Sequence, residues 1–320
     1  MIVIGVLASV NIILHRSNQV NHLTVPESPR FERPADEEIE RLYRQGMDLN
    51  RTQGPREALE FFEKAFERTG ALEMMYGIAW FESVFGNYDR ASNLCKYILA
   101  HEPKILLMAR CYYSLGYIAS ENENFESSID FFSQSLQIYT GLNSPENQFK
   151  CYLGLALSAI NAGFSDEADK HLNLALNLSS HHQVGHDELA YLYHLKTRSA
   201  FNAGNYLGGV NFSKQCLDGY LLLGENFNSA LAYLDYAYFL GLTGDIVACQ
   251  EFTDRGEGIL SRHGEVFSVR VLTNRVLVNR CQGKDSEMIS KKALDILADN
   301  PTLYYEKKLL EFTLTYECQN

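Results

Sequence analysis

The chain has 320 residues, a formal net charge of -12 and 46% hydrophobic residues. That is enough apolar material for one elongated or two compact domains, and the acidic balance excludes a polybasic nucleic-acid arm. Only seven prolines occur, with Pro26, Pro29 and Pro34 in one early stretch and Pro145 alone between Lys104 and Asn300, so an almost unbroken helical body is expected.

In chain order, Ile2 to Leu14 form an apolar run interrupted by Asn11 and followed by His15 and Arg16. It is short of the roughly 17 to 25 apolar residues that span a bilayer, and it lacks the charge and cleavage pattern of a secretory signal. The remnant of a longer anchor, a signal, or a packed or disordered N-terminus all stay open for residues 1–16. An anchor with Arg16 behind it would leave the body in the cytoplasm, associated with the membrane through residues 2–14. Residues 17–35 are polar and Pro-rich and read as a linker. The seven cysteines Cys95, Cys111, Cys151, Cys216, Cys249, Cys281 and Cys318 show no CxxC spacing. They are expected as reduced thiols packed like small hydrophobes, which favours a reducing compartment.

From residue 36 one short pattern recurs: a small loop residue, a polar one, an aromatic or apolar one, and then a small anchor residue. Examples are Gly86-Asn87-Tyr88 with Ala91, Gly163-Phe164 with Ala168, and Gly204-Asn205-Tyr206 with Gly209. The anchors are Ala58, Ala91, Ser128, Ala168, Gly209, Cys249 and Met288, separated by 33, 37, 40, 41, 40 and 39 residues. Apolar residues at helical spacing flank each loop, as in Tyr112, Leu115, Gly116 and Ala119 before one and Phe132 and Leu136 after it. Each unit is therefore a helix, a tight turn and a second helix, which must stack on a neighbour to bury its apolar face. Small residues at Gly46, Ala79, Gly116 and Ala156 are expected to let paired helices approach closely.

On these residues the chain resembles the tetratricopeptide repeat family. Gly46, Leu49, Ala58, Phe62 and Ala65 match its pattern in the first unit, Pro103 ends the second and Leu115-Gly116 sits in the third. The match is looser in the sixth and seventh units, where Thr253 and Gly256 replace a large and a small residue. The resemblance implies an all-α, right-handed superhelical solenoid of about seven units over 36–301, with a capping helix and tail in 302–320. It also implies that first helices line a concave groove, to which counting assigns Tyr43, Tyr76, Trp80, Arg110, Tyr113, Tyr117, Lys150, His194, Arg198, Tyr238, Arg270 and Arg280. Such a groove would be aromatic and net basic inside an acidic protein. Arginine and aromatic side chains give large contact area with fixed geometry, and arginine pairs carboxylates, so the expected ligand is a protein or peptide segment with acidic and apolar side chains. The competing reading, favoured for any one residue taken alone, is that the aromatics pack between units and the arginines are merely solvated. The lysine and asparagine of a chaperone-tail clamp are missing, since Tyr43 and Met47 stand there.

Phosphate loops, dinucleotide fingerprints and hydrolase or metal motifs are not found. His181, His182 and His186 with Asp187 are the one ligand-like cluster, and adjacent loop histidines are more often solvated than metal-bound. Neither cofactor nor metal is expected, and nucleic acid is disfavoured by the charge. The reading is a non-enzymatic scaffold that binds a protein segment in its groove. The alternative is a regulatory module that senses a ligand or peptide, changes superhelical pitch and acts through a separate effector.

Overall fold

The structure, a computed structural model, describes residues 35–101, 103–261, 268–300 and 303–318. The apolar N-terminal segment and all of the linker except Ala35 lie outside these residues, so the anchor reading is not addressed; among the described residues no helix is long and apolar enough to cross a membrane. Among the described residues there are fifteen helices, and their contacts divide the chain into two compact units with the boundary in sequence between Asn161 and Ala162.

The N-terminal unit contains α1 (Asp36–Thr52), α2 (Pro55–Thr69), α3 (Leu72–Val84), α4 (Tyr88–Ala100), α5 (Ile105–Glu121), α6 (Phe125–Gly141) and α7 (Pro145–Ala162). Pro55 and Pro145 open helices, where a missing N–H costs nothing. Each helix packs on the next from α1 to α6, and the first helices α1, α3 and α5 also touch one another in sequence. The turn between α3 and α4 shows why the loop pattern recurs. Gly86 takes φ 79°, a left-handed conformation that glycine adopts without strain, and its reversal lets Tyr88 begin the second helix. The core between the pairs is built on Met75, Ala79, Cys95, Ile98, Leu107, Cys111 and Leu115.

Close approach is enforced by phenylalanines wedged between glycines. A Cβ added to Gly46 or Gly77 would lie 2.4 Å or 2.3 Å from the Phe62 ring, and one added to Gly116 or Gly154 would lie 2.9 Å or 2.6 Å from Phe132. Small polar anchors contribute hydroxyls as well as size. The Ser128 Oγ donates to the Gly116 carbonyl at 2.7 Å and shares a second 2.7 Å bond with Ser158, while Ser135 donates to the Ala109 carbonyl at 2.8 Å.

The C-terminal unit contains α8 (Ser165–His181), α9 (His186–Asn202), α10 (Tyr206–Leu221), α11 (Phe227–Leu242), α12 (Ile246–Leu260), α13 (Ser268–Cys281), α14 (Glu287–Asp299) and α15 (Tyr304–Thr315). Asn205, Asn226 and Asp245 cap helices by accepting hydrogen bonds from backbone N–H groups of the first turn. Consecutive helices pack from α8 to α14, and α11 also touches α13. Gly256, which departs from the family pattern, is tightly enclosed: a Cβ there would meet the Ala230 carbonyl oxygen at 3.0 Å.

Two expectations need correction. Six anchors are buried as fourth residues of their helices, but Met288 is 84% exposed, and the fourth residue of α14 is the buried Ser290. The last turn, Gly283 to Ser286, is longer than the others, and this shifts the register. The cysteines are also not all free. Cys281 and Cys318 form a disulfide with Cα atoms 5.2 Å apart, while Cys95, Cys111, Cys151, Cys216 and Cys249 are buried single thiols. The turn of the tail after α15 brings Cys318 back to the end of α13, a proximity that a separation of 37 residues hides. The thiols therefore no longer argue for a reducing compartment.

Candidate functional site

In the N-terminal unit α1, α3 and α5 bring six of the proposed residues into one cluster. Tyr43 and Tyr76 stack with ring centroids 6.3 Å apart, and the Arg110 guanidinium lies 4.5 Å over the Tyr43 ring. Trp80 stands 6.4 Å from both Tyr113 and Tyr117, and Tyr113 meets Phe132 edge-on at 5.3 Å. Burial divides the group. Tyr76 and Tyr117 are buried, the Tyr76 hydroxyl sharing a 3.2 Å bond with Ser114, whereas Tyr43, Trp80, Arg110 and Tyr113 are half-buried and keep a solvent-facing side. Burial pushes the Tyr43 and Tyr76 hydroxyls up, so both stay neutral donors at physiological pH.

Arg110 has an aromatic shelf but makes no hydrogen bond or ion pair with the described residues. Glu40, whose charge reaches it, is itself paired with Arg44 at 3.9 Å. A cation over a ring gains from the quadrupole and still has its donor edge to offer a carboxylate. Lys150, on α7, is ion-paired with Glu146 at 2.6 Å one turn earlier.

In the C-terminal unit the proposed residues also converge, but onto the chain itself. Asp235, buried on α11, accepts from Arg270 at 3.1 Å and from His194 Nδ1 at 3.1 Å, and Arg270 reaches Glu306 of α15 at 2.9 Å. Because a carboxylate only accepts, the His194 Nδ1 carries the hydrogen. Desolvation lowers the His194 pKa against the pull of Asp235, with Arg270 and Arg198 adding to the decrease. Asp235 is also desolvated, yet Arg270 and His194 outweigh that cost and hold its carboxyl below the usual range. Tyr305 of α15 lies under two guanidinium groups, 4.6 Å from Arg198 and 5.1 Å from Arg270. Tyr238 is buried, its hydroxyl bonded to Thr313 at 2.8 Å and to the Leu309 carbonyl at 3.2 Å. Arg280 donates to the Tyr316 carbonyl at 3.2 Å. The expected capping helix thus lies against α9, α11 and α13 rather than on the last unit alone.

Sequence reasoning missed Asp235 and Tyr305, and it expects Glu306, Lys307 and Lys308 of the capping helix to face outward, whereas Glu306 pairs with Arg270 and Lys308 donates to Asn202. An acid inside the apolar run Ala230–Leu242 is the signal that was available for the first, since a buried carboxylate demands partners. The histidines at 181, 182 and 186 are exposed, and among the described residues no three His, Cys, Asp or Glu side chains are grouped as metal ligands.

A family model described as tetratricopeptide repeat matches residues 109–140, which span α5, its turn and α6. The fold is that of the tetratricopeptide-repeat superfamily. Likeness to solved structures extends over most of the chain. A Rap protein complexed with Competence and Sporulation Factor is 15% identical with a TM-score of 0.68, over 88% of this chain and 81% of that one. The apo form of the quorum sensor NprR from B. thuringiensis is 10% identical with a TM-score of 0.61, over 88% of each chain. A Signal Transduction ATPase with Numerous Domains protein from Pyrococcus horikoshii, which carries a tetratricopeptide repeat sensor, is 16% identical with a TM-score of 0.65. The match covers 86% of this chain and 43% of that one. No curated protein matches the sequence of this tetratricopeptide-repeat chain.

Proposed function

We propose that this repeat protein is a non-catalytic interaction protein whose N-terminal unit binds a peptide or protein segment through Arg110 and the exposed sides of Tyr43, Trp80 and Tyr113. The observation that carries the reading is the state of Arg110, a half-buried guanidinium laid over a ring and without a carboxylate partner among the described residues. Leaving such a charge partly desolvated and unpaired is costly, and an acidic side chain or terminal carboxylate of a ligand would relieve the cost while apolar neighbours cover the rings. By contrast, Arg270 and Arg280 in the C-terminal unit already have partners in α15 or its tail. The likeness to a Rap protein solved with Competence and Sporulation Factor, and to a quorum sensor, supports ligand binding by a stack of this kind.

The test is a pull-down with the full chain, identified by mass spectrometry, comparing wild type with Arg110→Gln and Trp80→Ala. Partners recovered by wild type should be lost from both variants and retained by Arg255→Gln, which changes an exposed arginine of α12 paired with Glu251. Retention by Arg110→Gln and Trp80→Ala, with unchanged circular dichroism, would move the binding face elsewhere. The regulatory alternative draws on the quorum-sensor likeness. It requires the dimensions measured by small-angle scattering to shrink on binding, whereas a scaffold keeps them.

A further inference from the structure

The contacts of α15 are not those of a helix that merely seals an apolar end. Its buried side couples apolar residues, such as Leu309, to a carboxylate–guanidinium bridge and to a ring held under two cations. Lys308 reaches Asn202 of α9 at 2.6 Å, 106 residues earlier, and Phe312 meets Phe201 edge-on at 5.2 Å. Tyr305 and Leu309 pack in the same apolar cluster as Phe201, Tyr238 and Leu277, and to this burial the helix adds the aromatic and arginine contacts that are enriched where separable partners meet. Two tethers hold the helix there. The short connection from α14 fixes its start, and the Cys281–Cys318 disulfide fixes its end to α13, one of the helices it packs on. Both sulfur-bearing residues are half-buried, within reach of a small reductant.

We propose that the face formed by α9, α11 and α13 is a receptor surface for a helical segment with tyrosine, glutamate, leucine and phenylalanine at positions i, i+1, i+4 and i+7, that α15 is its resident occupant, and that the disulfide latches it. A dithiol reductant opens the latch. The dithiol gives up two electrons and two protons to become a cyclic disulfide, and Cys281 and Cys318 take them up as two thiols. With one tether left, the effective concentration of α15 over the face falls and a segment of the same pattern from another molecule competes for it. The surface is independent of the Arg110 cluster.

The probe is a fluorescein-labelled peptide with the sequence of residues 303–316, followed by anisotropy against the full chain in oxidised form, in excess dithiothreitol, and as Cys318→Ser. Reduced and Cys318→Ser chains should bind at least tenfold more tightly than the oxidised chain, and Glu306→Lys or Phe312→Ala in the peptide should abolish the difference. Arg110→Gln in the chain should leave binding unchanged. Equal affinity in both redox states, or no binding in either, overturns the proposal. Hydrogen exchange supplies the second reading: reduction should deprotect 304–315 while α11 stays protected, and joint loss of protection would make α15 an ordinary part of the core and refute the latch.

Discussion

Replacing Gly77 by alanine adds one methyl group to the inner side of α3, and its effect can be worked from the space around Phe62. The new Cβ would stand 2.3 Å, 2.5 Å and 2.5 Å from three ring atoms, where ordinary contact begins at 3.4 Å. The ring cannot simply retreat, because Gly46 of α1 faces it with its own Cβ position 2.4 Å away and Phe62 is fully buried. Relief requires the two helix backbones to separate, and overpacking of this kind costs roughly 1 to 3 kcal/mol. Alanine would return about 1 kcal/mol of helix propensity, so the net loss is about 0 to 2 kcal/mol. A loss in the upper half of that range corresponds to a fall in Tm of roughly 2 to 8 °C for a domain of this size. Thermal unfolding by circular dichroism measures it, with Gly258→Ala as the control, since a Cβ at Gly258 on α12 meets nothing within 4 Å. The control should gain stability while Gly77→Ala does not. Adding Phe62→Leu to Gly77→Ala should cost less than the sum of the two single changes, because the smaller side chain vacates the space the methyl needs. Equal gains for Gly77→Ala and Gly258→Ala, with additive behaviour in the double variant, would refute the wedge.

Acid should weaken the C-terminal unit in two steps. The His194 pKa is depressed by burial in the fold, so below about pH 6.5 the unfolded chain takes a proton that the folded chain refuses, and stability falls as pH falls. His171, also depressed mainly by burial, adds to this first step. Asp235 is held below its ordinary value, so its contribution persists until pH drops under about 4. Tm recorded from pH 8 to pH 3 should show both steps, and His194→Gln should flatten the first; an unchanged slope would show that His194 is not its source. Tyr238→Phe removes the hydroxyl that joins α11 to Thr313 and should cost about 1 kcal/mol, read as faster hydrogen exchange in α15. Gly256→Ala should cost about 0 to 2 kcal/mol net, because its Cβ would press on a backbone carbonyl that cannot rotate away while alanine returns about 1 kcal/mol of helix propensity; urea unfolding would show a midpoint that does not rise.

What could be read before the structure followed from local chemistry. Ala58, Ala91, Ser128, Ala168, Gly209 and Cys249 are buried because a small residue one turn into the second helix is the only kind that lets its partner lie close, and that demand repeats in sequence. Met288 failed because the last turn is longer and the buried residue, Ser290, looks like any surface serine until its position in the helix is known. The aromatic cluster around Trp80 was visible because its rings recur at two positions of successive first helices, Tyr43, Tyr76 and Tyr113 at one and Trp80 and Tyr117 four residues on. The role of the same positions in the C-terminal unit was hidden, since it depends on α15 approaching residues such as Asn202 from 106 positions away. No periodicity records such a pairing. The disulfide escaped for the same reason.

The phenylalanine wedges also bear on where this chain can be cut or duplicated. Phe62 on α2 is gripped by Gly77 on α3, Phe132 on α6 by Gly154 on α7, and Phe239 on α11 fits against Gly209 on α10. In all three, the tightest grip joins a second helix to the first helix of the following pair, across the boundary that the repeat pattern draws. The piece that travels intact through duplication, permutation or truncation is therefore offset by half a repeat from the one the pattern defines. Breaks at turns inside a pair, such as Gly86-Asn87 or Gly244-Asp245, would leave each of these wedges whole, whereas a break at Gly70-Ala71 would leave Phe62 with half of its seat.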